Sequence, residues 1–86
     1  MTEQNKINLK IDGGMEQGVF SNAISIHVNN NEVILDFGYM MPNMPEATIK
    51  LVSRVNLTHR TAESMMNVLS NAMLDWRNKN KSNNSN

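Results

Sequence analysis

The residues able to do chemistry in this chain are few, and two histidines, His27 and His59, head the set. Catalysis needs a nucleophile, base or metal held in a cleft that excludes most water. His27 shares an alternating run with Ser21 and Ser25, but same-face neighbours on a strand stand side by side and do not converge. No carboxylate in that run would orient the imidazole as a triad requires. His27 therefore reads as an exposed or hydrogen-bonded strand residue, and His59 as a surface residue at a helix start. Asp36 and Arg54 both alternate away from the apolar side of their runs, which predicts a cross-strand ion pair in preference to a ligand site. The acidic residues show no two-carboxylate spacing of the kind metal or glycosidase sites use. Gly13-Gly14 precedes neither a helix start nor a Lys-Ser/Thr pair, so a phosphate loop is unsupported. With no cysteine, disulfides, zinc–thiolate sites and thiol catalysis are excluded. The expectation is a protein with no catalytic residue, no metal and no cofactor.

Composition points the same way. The 86 residues suit one domain; 40% are hydrophobic and 19% charged, too apolar for a disordered chain. Eight basic residues balance eight acidic ones, which argues against long-range electrostatic capture of nucleic acid or acidic membranes. No apolar run reaches membrane-spanning length, and Met1 to Lys10 lacks a signal peptide's hydrophobic segment, so the expected compartment is cytoplasmic and no membrane is a partner. Asn56-Leu57-Thr58 and Asn83-Asn84-Ser85 match the glycosylation sequon, without meaning in that compartment.

Alternation dominates the chain between its polar ends. Ile7, Leu9 and Ile11 oppose Lys6, Asn8 and Lys10, and Asp12-Gly13-Gly14 then supplies a turn. From Gly18 to Val28, Phe20, Asn22, Ile24, Ile26 and Val28 oppose Ser21, Ala23, Ser25 and His27. Asn29-Asn30-Asn31-Glu32 predicts a hairpin loop. Val33, Leu35, Phe37 and Tyr39 then face away from Ile34, Asp36 and Gly38, and Pro42 and Pro45 interrupt the ladder. The fourth run sets Ala47, Ile49, Leu51, Ser53, Val55 and Leu57 against Thr48, Lys50, Val52, Arg54 and Asn56. The period then becomes helical: Ala62, Met65, Met66, Leu69, Ala72, Met73 and Trp76 form one stripe, with Thr58 as N-cap. These elements predict an α+β fold, ββββα, a four-stranded antiparallel meander with a C-terminal helix on one face. The domain spans 6–77, between a disordered lead, 1–5, and a disordered polar tail, 78–86.

Four strands make a sheet roughly 19 Å wide, whereas a helix is only about 10 Å across. One helix leaves part of the apolar sheet face open, and so small a core is marginal alone. Self-association follows, most simply as a two-fold dimer.

From Glu16 to Asn71 the chain resembles the bacterial and phage family called domain of unknown function 3467. The matching pieces are Gly18-Val19-Phe20-Ser21-Asn22, His27, Glu32, Asp36-Phe37, Met41-Pro42, Pro45, Ala47, Ser53-Arg54-Val55 and Leu57-Thr58. Asn43 stands where the family usually has Gly, and His59 where it usually has Pro. The fourth strand is two residues longer between Ala47 and Ser53, an even insertion that leaves every later residue on its expected face. The resemblance implies the same architecture and no particular activity.

The predicted function is a non-catalytic, homo-oligomeric interaction or structural module, partnering itself and open to a further protein. Phe20, Phe37, Tyr39, Met65, Leu69, Met73 and Trp76 are expected to build its core or interface. Met40, Met41 and Met44 form a flexible loop suited to gripping a partner or covering the sheet. The first alternative is single-stranded nucleic-acid binding, because Lys6, Lys10, Lys50 and Arg54 are predicted to share the outer sheet face. That layout is similar to transcription cofactors of the PC-four and Pur type. The aromatics that would stack bases nevertheless fall on the core side. A holdase similar in layout to the SecB export chaperone is the second alternative.

Overall fold

The computed structural model describes residues 6–84. Three strands, Ala23–Val28 (β1), Val33–Met41 (β2) and Thr48–Leu57 (β3), form an antiparallel sheet in the order β1-β2-β3, and one helix follows, His59–Asn84 (α1). The fold is α+β with a C-terminal helix, but the sheet has three strands where the sequence predicts four. The first alternating run, Lys6–Asp12, has no regular secondary structure and joins no ladder, with Ile7 92% and Leu9 84% exposed. Alternation marks a run with one apolar face; it does not guarantee an edge for that run within the same chain.

The connector explains why this run does not fold back. Met15 N–H donates to the Asp12 carbonyl (3.0 Å) and Gly18 N–H to the Met15 carbonyl (3.1 Å), enclosing a single 3-10 turn at Met15–Gln17. Gly14 and Gly18 flank it at φ 85° and 69°, a region costly for other residues. These bonds close the connector on itself instead of forming a hairpin.

β1 also starts later than the alternation suggests, because side chains replace the ladder at its beginning. The Ser21 hydroxyl lies 2.8 Å from the Gly38 carbonyl and 2.9 Å from that of Ala23. Asn22 N–H donates to the Gly38 carbonyl (3.1 Å), and Asn22 Oδ1 accepts from Met40 N–H (2.8 Å). At the other end the hairpin closes through Asn29, whose Oδ1 accepts from the amides of Asn31 and Glu32 at 2.8 and 2.9 Å.

Register assigns the faces, since directly opposed residues share one. Ile24, Phe37 and Ser53 line up across the strands, as do Ile26, Leu35 and Val55, and Val28, Val33 and Leu57; this inner face meets α1. Between Phe37 and Gly38 the register slips: Phe37 opposes Ser53 but Gly38 opposes Leu51, leaving Val52 unpaired. A bulge of this kind reverses the alternation beyond it. Ile49 and Leu51 therefore lie on the outer face with Gly38, while Lys50 lies on the inner face with Tyr39. The single predicted face running from Ala47 to Leu57 is corrected accordingly.

Thr58 caps α1 as predicted, its Oγ1 accepting from Thr61 N–H at 3.0 Å. Among the described residues the buried apolar core is Val33, Leu35 and Ala62, with Phe37, Leu57 and Met65 packed around it. Only the beginning of the helix supplies residues to this cluster. The remainder projects, at about 39 Å total length for 26 residues. The helix also continues to Asn84, well past the residue-77 boundary assigned to the domain. Asn80 Nδ2 donates to the Trp76 carbonyl one turn back (3.0 Å). The predicted disordered lead, 1–5, and residues 85–86 of the tail lie outside the described residues.

Candidate interaction surface

The outer face of the sheet carries an ion pair across β2 and β3. Asp36 and Arg54 are opposed on β2 and β3, and Arg54 donates through Nε to Oδ1 (2.6 Å) and through Nη2 to Oδ2 (2.9 Å). The hydrogen bond from Arg54 holds the Asp36 carboxyl below its ordinary range, and the same bond raises the guanidinium. Both carboxylate oxygens are thus committed to Arg54, although Ser25 is the other cross-strand neighbour of Asp36. Among the described residues no side-chain hydrogen bond joins Ser25 to His27, and no group of three His, Cys, Asp or Glu side chains is placed to hold a metal. His59 Nε2 donates to the Asn29 carbonyl (2.7 Å), tying the helix start to the β1–β2 hairpin.

The four basic residues expected to share the outer face are dispersed. Arg54 is there, paired with Asp36; Lys50 is on the inner face by register; Lys6 and Lys10 lie on the unpaired first run. The bulge separates Lys50 from Arg54, and the absence of a ladder partner separates Lys6 and Lys10 from both. On the outer face Ala23, Ser25, Asp36, Gly38, Ile49 and Leu51 instead surround an open hollow of about 220 Å³.

The inner face is apolar and largely open. Ile24, Ile26 and Val28 are 54–59% exposed along β1. Phe37 and Met65 touch the buried cluster, and Tyr39 is half-buried with Phe20 against it edge-on, ring centroids 6.2 Å apart. Phe20 itself is exposed, and so are Leu69, Met73 and Trp76 along α1. Met40 and Met44 are exposed and Met41 is half-buried around the turn at Pro42. Between β1 and the helix start lies a second hollow of about 240 Å³ whose lining includes Ile26, Val28, Ala62 and Met66. Sequence reasoning missed Ser21, Asn22 and Gly38 as the latch and the bulge seat; the run Ser-Asn after Gly-Val-Phe was the available signal.

Among the described residues, three buried apolar side chains beside a largely open apolar inner face make up a small α+β unit. No helix among the described residues is long and apolar enough to cross a membrane. The chain belongs to the family described as a protein of unknown function, DUF3467, whose model matches residues 1–82. No curated protein and no solved structure matches it.

Proposed function

We propose that this protein is a non-catalytic, homo-oligomeric interaction module in which the open inner face and the projecting helix of one copy are covered by another. The observation carrying this reading is the imbalance of burial. The described residues bury three apolar side chains, while Phe20, Ile24, Leu69, Met73 and Trp76 remain exposed to the extent of 42–71%. A patch of this kind is the ordinary mark of an interaction site.

Sedimentation equilibrium across a wide concentration range tests the reading. A dimer or higher oligomer is expected, dissociated by Leu69→Glu or Met73→Glu with strand and helix signals retained. A stable, folded monomer at every concentration would overturn it. The nucleic-acid alternative draws less support, because Arg54 is engaged by Asp36 and Lys50 lies across the sheet from it.

A further inference from the structure

We propose that Lys6–Asp12 is a strand supplied in trans, adding to the free edge of β1 in a second copy of the chain. The inference rests on the homo-oligomeric reading and names one of its contacts. The segment is built as a strand: Ile7, Leu9 and Ile11 alternate with Lys6, Asn8 and Lys10. It nevertheless joins no ladder, with Ile7 and Leu9 almost wholly exposed. Among the described residues, no inter-element backbone hydrogen bond reaches residues 6–11. The self-bonded turn at Met15–Gln17 holds it off its own sheet.

The sheet has two edges, and they differ in kind. β3 carries Lys50, Arg54 and the Val52 bulge, the devices that keep an edge from pairing. β1 reads Ala-Ile-Ser-Ile-His-Val, with no proline, lysine, arginine or bulge. Seven arm residues span about 23 Å and the six of β1 about 20 Å, so the lengths agree. Laid on β1 with its apolar side inward, the arm places Ile7, Leu9 and Ile11 beside Ile24, Ile26 and Val28, extending the inner face by one strand. Lys6, Asn8 and Lys10 then lie beside Ala23, Ser25 and His27, with no Lys or Arg among them. On β3 the same arm would bring its lysines alongside Arg54 and its isoleucines beside Ser53. Added strands recruited through an exposed edge are an established binding mode, main-chain bonds giving affinity and alternate side chains giving register.

The absence of cysteine makes the test direct. Leu9→Cys chains are mixed with longer-tagged chains carrying Ile24→Cys, Ile26→Cys or Val28→Cys, and mild oxidation is followed on a non-reducing gel. One pairing is expected to give a mixed disulfide in at least tenfold excess over a control pairing of Leu9→Cys with Asn56→Cys on β3. In parallel, Leu9→Asp should weaken self-association about tenfold or more with the sheet and helix signals unchanged. Control-level yields for all three pairings, with the wild type still oligomeric, would overturn the strand exchange and leave the oligomer standing. So would an intrachain disulfide in Leu9→Cys/Ile26→Cys at the expense of interchain product. A wild type that sediments as a monomer would overturn both.

Discussion

The Cγ2 methyl of Ile49 occupies the space above Gly38: a Cβ on the glycine would stand 2.5 Å from it and 3.3 Å from the Lys50 carbonyl. Gly38 is buried, accepts the bonds from Ser21 and Asn22 at its carbonyl, and begins the shifted register. A glycine is needed here for room. Gly38→Ala should cost about 1–3 kcal/mol by overpacking, read as a lowered urea midpoint. Adding Ile49→Ala should recover part of that loss, because only the backbone contact then remains.

Asp36 sets an acid limit on part of the stability. Its folded-state pKa lies below the unfolded value, so the pairing contributes fully above about pH 4 and is lost as pH falls through the lowered value. Asp36→Asn should therefore lower the urea midpoint at pH 7 and converge with the wild type once the pH has fallen below the lowered value. Both partners are solvent-accessible, which makes the difference small, and salt should shrink it further.

Asn43 has φ 61°, the one positive value outside glycine among the described residues. Asparagine is among the few side chains that accept this left-handed backbone. Asn43→Gly should leave the melting temperature nearly unchanged. Asn43→Val should cost about 1–2 kcal/mol, since a branched Cβ meets the left-handed backbone directly.

Thr58 and His59 anchor the start of α1 by different routes. Thr58→Ala should cost about 1 kcal/mol through loss of the cap on Thr61 N–H. His59→Ala should cost a similar amount by releasing the Asn29 carbonyl. His59→Pro favours the first helical turn while losing that bond, so it should fall between wild type and His59→Ala. Thermal melts of the three variants give the order.

Trp76 is the single tryptophan and is 60% exposed on the helix stripe. In the proposed oligomer it is covered, so its emission should move to longer wavelength on dilution through the dissociation range. Leu69→Glu should give the long-wavelength spectrum at all concentrations.

Much of this architecture is legible in the sequence, and the omissions have physical causes. The hairpin at Asn29, the Thr58 cap and the Asp36–Arg54 pair each follow from local residue chemistry, and each is present. The fourth strand does not follow, because Ile7, Leu9 and Ile11 state a preference for a face while pairing depends on the connector. The bulge is hidden because Val52, Leu51 and Ile49 are all apolar, so hydrophobicity continues smoothly across the slip. The helical tail is hidden because Arg77 to Lys81 offers no apolar stripe to read; its helicity is inherited from the turns before it. The family resemblance is confirmed, and Ser53, Val55 and Leu57, which follow the longer stretch, keep their expected face; the bulge turns only the residues before it, Ile49 to Leu51.

Val52 also makes pairing, rather than composition, what writes this surface. Were Val52 taken into the ladder opposite Gly38, with every residue kept, Lys50 would turn outward to the face of Arg54, and Ile49 and Leu51 would sink toward the helix side. Losing the codon for Val52 would instead leave both faces as they are, on a strand one residue shorter and regular.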